Sequence, residues 1–199
     1  MNTSPSNVRP GRPITRNRAR VLETAMHAYW RDNRAAVSVN AVCALAGVSK
    51  PSLYRDFGSE DGLTAAVLER YGETVLAPLE DLLSGPLSYR TKLDALINFA
   101  SEAPQMEEGC LFVKMRATRS RFGPKTQALL AAKEAHIQAQ FTKFFTSAAV
   151  RGEWPGGIAT DLAANYLQEQ FSLAVSQRAA GKQPEAVRAL LTLAISALN

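Results

Sequence analysis

Residues 38–57 read SVNAVCALAGVSKPSLYRDF, and this pattern predicts two short helices joined by a tight turn. Ser38 can cap the first helix, because its side-chain oxygen can accept a hydrogen bond from an unpaired N–H of the first turn. Gly47 suits the end of that helix, since glycine adopts a positive φ without a steric penalty. Ser49 can cap the second helix, where Pro51 is tolerated only within the first turn. The stretch is therefore a predicted helix-turn-helix.

Each predicted helix of the motif has an apolar edge and a polar face. Val42 and Ala46 lie four residues apart on the first helix, and Leu53 and Phe57 repeat that spacing on the second. The outward face of the second helix carries Lys50, Ser52, Tyr54 and Arg55. Cationic and hydrogen-bonding side chains at the start of a helix suit the major groove and its flanking phosphates. Double-stranded DNA is therefore the predicted partner.

The same stretch resembles the DNA-binding signature of the TetR family of transcriptional repressors, specifically over about residues 16–70. The matching positions are Val42-Cys43, Ala46-Gly47-Val48-Ser49, Leu53-Tyr54 and Phe57. The chain departs from the family pattern at Cys43, where the family usually has Ala, and at Glu60, where it usually has a phosphate-binding Lys. The resemblance implies an all-α fold, with an N-terminal three-helix head followed by a larger helical domain that binds a ligand and dimerises.

The expected DNA contacts lie on the motif and on an N-terminal arm. The expected base or groove-edge contacts are Lys50, Ser52 and Arg55. The expected phosphate contacts are Ser38, Ser49 and Tyr54. Residues 1–14 are rich in Pro, Ser, Asn and Gly and have no apolar period, which predicts a segment that is disordered without DNA. The candidates for an arm that reaches phosphates or the minor groove are Arg9, Arg12, Arg16 and Arg18.

Positive charge is concentrated at the N-terminal end of the chain. Residues 1–55 hold nine Lys and Arg against two Asp and Glu, whereas residues 56–199 hold 14 against 16. A basic N-terminus can be no more than a solvated tail, but its place beside a helix-turn-helix favours DNA. Binding by counterion release should then weaken steeply as salt rises.

Helical periodicity dominates the rest of the chain, and no alternating pattern of convincing length predicts a strand. The predicted organisation is a disordered basic arm at 1–14, a helix-turn-helix domain at 15–58 and a helical effector-binding and dimerisation domain at 59–199. With 46% hydrophobic residues, the core need not rely on disulfides, and two cysteines fit a reducing compartment. No signal-peptide or membrane-spanning run occurs, so we expect a soluble, cytoplasmic protein without a membrane partner.

The last predicted helix carries the clearest apolar stripe. Its members are Val187, Leu190, Leu191, Ala194, Ile195 and Leu198. Periodicity alone allows this stripe to pack either on its own subunit or on a second copy. The resemblance implies a homodimer, because TetR-like proteins pair through their two C-terminal helices, here residues 160–180 and 184–198. A two-fold dimer would place two recognition helices on successive major grooves of a roughly palindromic operator.

The resemblance also implies a small-molecule effector, whose binding moves the fourth helix and separates the two DNA-reading heads. Pockets for such ligands are mostly apolar, and the candidate lining residues are Phe99, Met106, Cys110, Phe112, Met115, Phe141, Phe145, Trp154, Tyr166 and Phe171. Packing in the core is the alternative role of each.

Cys110 adds the possibility of an electrophilic effector, beside an apolar one. Its Gly-Cys-Leu run resembles that of TetR-like regulators that sense electrophiles or oxidants. A helix N-terminus would lower the pKa of this thiol, whereas Glu107 and Glu108 would raise it, and buried cysteines are usually inert.

No pattern in the sequence predicts catalysis, a cofactor or a metal site. The two histidines, His27 and His136, have no partner at ligand spacing, and no nucleophile elbow, phosphate loop or dinucleotide fingerprint occurs. The predicted function is a ligand-responsive transcriptional regulator, a homodimeric repressor released from a palindromic operator by a small molecule. The alternative is a helical protein-interaction adaptor that binds DNA weakly and without sequence preference, which Glu60 favours.

Overall fold

A computed structural model describes residues 14–32 and 37–198 of the chain. Its α-helices are α1 (Ile14–Asp32), α2 (Val39–Ala46), α3 (Lys50–Phe57), α4 (Glu60–Tyr71), α5 (Ala77–Ser84), α6 (Tyr89–Glu102), α7 (Leu111–Ala117), α8 (Pro124–Val150), α9 (Thr160–Ala179) and α10 (Pro184–Ser196). The described residues contain no strand, so the predicted all-α fold is confirmed. Most of the predicted arm, with Arg9 and Arg12, lies outside the described residues, as does the side chain of Arg16.

The first three helices form the head, and their ends follow the local signals of the sequence. Ser38 Oγ accepts a hydrogen bond of 3.2 Å from the backbone N–H of Ala41. Gly47 ends α2 in the left-handed region, with a φ of 61°. Ser49 Oγ accepts from the N–H of Ser52 at 3.3 Å, which starts α3. The predicted helix-turn-helix is confirmed, with Val42 and Leu53 fully buried against α1 and α4.

Helix α4 leads from the head into the body through a π-helical turn, Gly72–Leu76, before α5 continues to residue 84. The sequence predicts one long fourth helix, and the π turn is a feature that it did not reveal. A π turn accommodates an extra residue by lengthening the backbone hydrogen-bond pattern. Pro78 falls in the first turn of α5, directly after the π turn, a position where proline is tolerated.

The body is a bundle in which α8 packs along α9, and α10 lies against both α6 and α9. Helix α4 contacts α1 in the head and both α7 and α8 in the body, so the apolar core runs without interruption from one part to the other. Among the described helices, none combines the length and apolarity needed to cross a membrane.

The apolar stripe of α10 divides into a buried row and an exposed row. Val187, Leu191, Ile195 and Leu198 are at most 5% exposed, because they pack into the core of their own chain. The structure therefore corrects the interface prediction for these four residues, since their side chains have no surface to offer a second copy. Leu190 remains 44% exposed and Ala194 is half-buried.

Candidate DNA-binding surface and effector cavity

The outer face of α3 presents the four side chains that the sequence assigned to DNA. Lys50 and Arg55 are exposed, while Ser52 and Tyr54 are half-buried at the same face. The Arg55 guanidinium donates to Ser52 Oγ at 2.9 Å, and Lys50 Nζ lies 5.7 Å from the centre of the Tyr54 ring. Lys50 is the first residue of α3, and Arg55, in the last turn, reaches back to Ser52, so both cations lie on the face that a major-groove contact would use.

Three further predicted contacts surround this face. Ser38 and Ser49 are exposed and serve as N-caps, in which each hydroxyl oxygen accepts a hydrogen bond from the backbone. The O–H of each serine can still donate a hydrogen bond to phosphate. The Arg18 guanidinium lies 4.9 Å from the centre of the Phe57 ring, so α1 presents a cation beside the end of α3. The structure thus places Ser49 directly before α3 and Arg18 against its last residue, while Ser38 lies at the start of α2.

Glu60 is exposed in the first turn of α4, two residues after Gly58 ends α3. We expect Glu60→Lys to tighten DNA binding by about tenfold, because it replaces a charge that phosphate repels with one that phosphate attracts. The slope of log affinity against log salt should steepen by about one per added phosphate contact. The measurement is fluorescence anisotropy on labelled duplex over a salt series.

The matched control is Glu69→Lys, which makes the same charge change on an exposed side chain of α4. Glu69 lies nine residues further along the helix and roughly 13 Å away along its axis. Unchanged affinity and slope in Glu60→Lys would place this residue away from the duplex.

Asp61, the next residue, connects the head to the body. Its carboxylate accepts hydrogen bonds from the backbone N–H of Lys125 at 2.8 Å and of Thr126 at 3.1 Å, and from the Thr126 hydroxyl at 2.5 Å. Gly123, the N-cap residue of α8, makes no side-chain cap, so Asp61 caps the 27-residue α8 from another helix. Burial raises the pKa of Asp61, but these hydrogen bonds outweigh it, and the pKa is lowered.

We expect Asp61→Ala to lower the free energy of unfolding by about 1 kcal/mol at neutral pH, because the N-terminus of α8 loses its cap. Since the folded-state pKa is lowered, this contribution is complete above the unfolded-state pKa of about 4 and disappears as the pH falls through the folded-state value. Urea unfolding from pH 3 to pH 7 measures it. Asp81→Ala, at an exposed position on α5, is the control; equal pH profiles for both variants would contradict the cap.

A second site lies in the body, where α5, α7, α8 and α9 line a partly open cavity of about 50 Å³. Its wall is predominantly apolar. The lining residues are Leu76, Leu79, Glu80, Leu83, Cys110, Phe112, Val113, Ile137, Gln140, Phe141, Gln168, Phe171 and Ser172. His136 Nε2 on α8 lies 3.1 Å from Glu80 Oε2 on α5, so a hydrogen bond joins these two helices at the cavity.

Four of the predicted ligand-binding residues line this cavity, namely Cys110, Phe112, Phe141 and Phe171. Phe99 supports its wall from behind, with its ring stacked on Phe171 at 6.2 Å. The structure does not place the others in the lining, which corrects the prediction for Met106, Met115, Phe145, Trp154 and Tyr166.

Packing explains where those other side chains lie. Phe145 meets the Trp154 ring edge-on at 4.9 Å, and Trp154 Nε1 donates to the carbonyl of Leu198 at 2.6 Å. The Tyr166 hydroxyl donates to Ala194 O at 3.1 Å and so joins α9 to α10. Met106 and Met115 are almost completely buried in the core. The aromatic and Met side chains of the prediction thus belong to the core in general, and only some of them line the cavity.

The polar lining residues were missed because the prediction considered apolar side chains and Cys110 alone. Gln168 falls on the inner face of α9, one turn from both Ala164 and Phe171. A glutamine at a buried position of a helical period is the signal that could have identified it, since buried polar side chains are costly and uncommon.

Cys110 is the N-cap residue of α7 and is 7% exposed. Burial raises the pKa of its thiol, against the lowering effects of the Tyr71 hydroxyl and of the backbone N–H groups of Val113 and Phe112. The net effect is opposite to the low pKa that a reactive thiolate at a helix N-terminus requires. This geometry fits a small buried side chain in the cavity wall.

A helix-turn-helix head on a helical body with an internal apolar cavity defines a DNA-binding regulator, and similarity to known proteins agrees. Residues 21–67 match the family model described as bacterial regulatory proteins, tetR family. The HTH-type transcriptional repressor ComR of Escherichia coli (strain K12) is 27% identical over 149 residues, which cover 73% of this chain and 71% of ComR. The predicted resemblance to the TetR family of transcriptional regulators is thus confirmed over residues 21–67, which span most of the head and of α4.

Solved structures share the fold over nearly the whole chain. The reduced form of E. coli NemR superimposes with a TM-score of 0.80 at 19% identity and covers 92% of this chain and 97% of NemR. A cysteine mutant of the TetR-family regulator CifR, complexed with 26-bp double-strand operator DNA, has a TM-score of 0.77 at 20% identity and covers 98% of this chain and all of that one. The predicted fold of head and larger helical domain is thereby confirmed.

Proposed function

We propose that this regulator is a homodimeric repressor that occupies a palindromic operator in the cytoplasm and leaves it when a small molecule enters the cavity. One observation carries the proposal: the continuous helical path of α4, the π turn and α5 touches both sites. It begins beside α3 at Glu60 and Asp61, and its far part lines the cavity with Leu76, Leu79 and Leu83. A displacement of the cavity wall therefore acts on the element that positions the head.

The size of the cavity supports this coupling. A volume of about 50 Å³ is well below the roughly 300–1,000 Å³ of ordinary ligand pockets. A typical effector would therefore push one wall outward rather than fill a space that already exists. Helix α5 is the wall nearest to the π turn, whose longer hydrogen-bond pattern lets it act as the place where the path bends.

Two contacts would transmit such a displacement from the path to the head. The Trp30 ring at the end of α1 meets the Tyr71 ring edge-on at 5.0 Å, just before the π turn. The Trp30 indole also donates to Gly109 O at 2.6 Å, and Gly109 precedes the cavity residue Cys110. The cap of α8 by Asp61 would resist the movement at the other end of α4.

The homodimer is supported by apolar side chains that α9 and α10 leave exposed. Leu162 and Leu173 on α9 are 57% and 52% exposed, and Leu190 and Leu193 on α10 are 44% and 69% exposed. Four exposed leucines on two adjacent helices provide apolar surface that a second copy could cover. We propose that these four leucines and Ala194 form the dimer interface, instead of the buried row of α10 that the sequence predicted for it.

We expect Leu193→Asp to shift the chain toward the monomer, because each dimer would bury two carboxylates near its two-fold axis. Sedimentation velocity at micromolar concentration measures the change. Leu87→Asp, at a 42% exposed position in the loop before α6, introduces the same charge outside these helices and should leave the assembly unchanged. A dimer that tolerates Leu193→Asp would show that α10 does not face the partner there.

The proposed function as a whole is tested by fluorescence anisotropy on the DNA upstream of the protein's own gene, competed with scrambled duplex. A repressor of its own gene should prefer the upstream DNA by about a thousandfold or more and should lose affinity steeply with salt. Selection from random duplexes provides the same test for a distant operator. Failure to select any sequence would overturn the proposal and favour the sequence-indifferent adaptor.

A further inference from the structure

The inner wall of the cavity holds a polar atom that nothing satisfies. Gln168 is only 6% exposed, and its Oε1 is buried without a hydrogen-bond partner among the described residues. Leaving a buried acceptor unpaired costs stability, so most buried polar atoms in folded proteins have a partner. Because Gln168 lines the cavity, a bound molecule can supply the missing donor.

The charged side chains around the cavity determine which net charge the bound molecule can have. Glu80 is the one ionisable carboxylate in the lining, and no Lys or Arg is among the lining residues. His136 Nε2 lies 3.1 Å from Glu80 Oε2, so this histidine is already hydrogen-bonded to the Glu80 carboxylate. An acidic ligand would bring a negative charge toward Glu80 and toward the carbonyl of Gln168 in an otherwise apolar space, with no cation to balance it.

We propose that the effector is a small, largely apolar molecule with a hydroxyl or amine group that donates a hydrogen bond to Gln168 Oε1, and that carboxylic acids are excluded. This inference rests on the proposed function for the assignment of the cavity as the effector site. Gln168 then provides specificity, because a ligand without the donor would leave the carbonyl unpaired and buried.

The volume of the cavity determines suitable probes. An engineered apolar cavity of about 150 Å³ holds benzene, so a space one third of that size holds only part of a five-atom chain, and such a probe must displace one wall as the proposed effector does. The probes are 1-butanol, its isomer methyl propyl ether, which has no donor, and butyrate, which is an anion at neutral pH. All three have similar apolar parts and differ in the group that would meet Gln168.

The experiment titrates each probe into the full-length protein and follows the side-chain amide of Gln168 by ¹⁵N NMR. We expect 1-butanol to bind about tenfold more tightly than the ether, which is the factor that one net hydrogen bond provides, and butyrate to leave the signal unchanged. Equal binding of the alcohol and the ether, or binding of butyrate at the affinity of the alcohol, would overturn the inference. This comparison of the three probe affinities uses only the wild-type protein, so it does not depend on whether a variant folds.

Gln168→Leu tests the residue itself, since leucine keeps much of the side-chain volume and removes the carbonyl. In that variant the alcohol should lose its advantage over the ether, as followed by the backbone amides of α9. Gln105→Leu, an exposed position in the 3₁₀ turn before α7, is the matched control and should retain the advantage. A preference that persists in Gln168→Leu would assign the recognition to another group.

A second readout separates this inference from the proposed function. The same probes are added to the operator complex, and release of DNA is followed by anisotropy. Preferential binding of 1-butanol through Gln168 without any release would confirm the donor chemistry and overturn the cavity as the effector site. Release that is equal for all three probes, or independent of Gln168, would support the effector site and overturn the donor chemistry.

Discussion

Gly62→Ala is expected to lower the free energy of unfolding by about 3 kcal/mol, at the upper end of the cost of adding a methyl group to a well-packed site. Gly62 lies in the first turn of α4, and a Cβ built there would be 2.0 Å from the carbonyl oxygen of Phe57. That atom belongs to the backbone at the end of α3, so it cannot move away as a flexible side chain could. The added methyl group must separate α3 from α4.

The matched control is Gly72→Ala, in the π turn, where the Cβ would lie 2.5 Å from Lys133 Nζ. The end of a lysine side chain can rotate away, so we expect this second variant to change stability by less than about 1 kcal/mol. Urea unfolding with a common m-value compares the two variants, and anisotropy should show weaker DNA binding for Gly62→Ala only. Equal stabilities would mean that the α3–α4 junction can open without cost.

The second large effect is expected for Lys50→Glu, which should weaken operator binding by about a hundredfold. Each dimer carries two copies of the substitution, and loss of one base or phosphate contact costs about 1–3 kcal/mol per site. Lys50 is exposed at the first position of α3, above the Tyr54 ring, where no other part of the described head shields it from a duplex. The salt dependence should also become shallower, since cationic contacts are lost.

Lys143→Glu provides the control, because Lys143 is exposed on α8 and the change in net charge is identical. Long-range repulsion alone would weaken both variants equally. A hundredfold effect confined to Lys50→Glu, with unchanged thermal unfolding, would show that α3 contacts DNA. An effect shared by both variants would assign the loss to net charge and exclude Lys50 as a contact.

The head could be predicted almost completely, because its signals are local. Ser38 and Ser49 each cap a helix that begins with the next residue, and Gly47 ends α2 with a positive φ within the same short stretch. Such features depend on backbone hydrogen bonds over three or four residues, which the order of residue types already contains. The helical periods of the body were predictable for the same reason.

The cavity was only partly predictable, because apolar side chains that face a cavity and those that fill a core have the same periodicity. Phe141 and Phe145 lie one turn apart on α8, yet Phe141 lines the cavity and Phe145 packs against Trp154. Their difference depends on which helices lie opposite each ring. Gln168 and Glu80 are functional candidates only because of the residues that surround them in space.

The sequence by itself determined the helix-turn-helix, the family resemblance and the all-α class, since these follow from caps, turns and periods within a few residues. Only the tertiary structure decided that Asp61 caps α8, that Val187 and Leu191 belong to their own core, and that a buried carbonyl faces an apolar cavity. Those outcomes depend on contacts between segments far apart in the chain. The free energy of such contacts comes from packing and pairing across helices, which no single helix encodes.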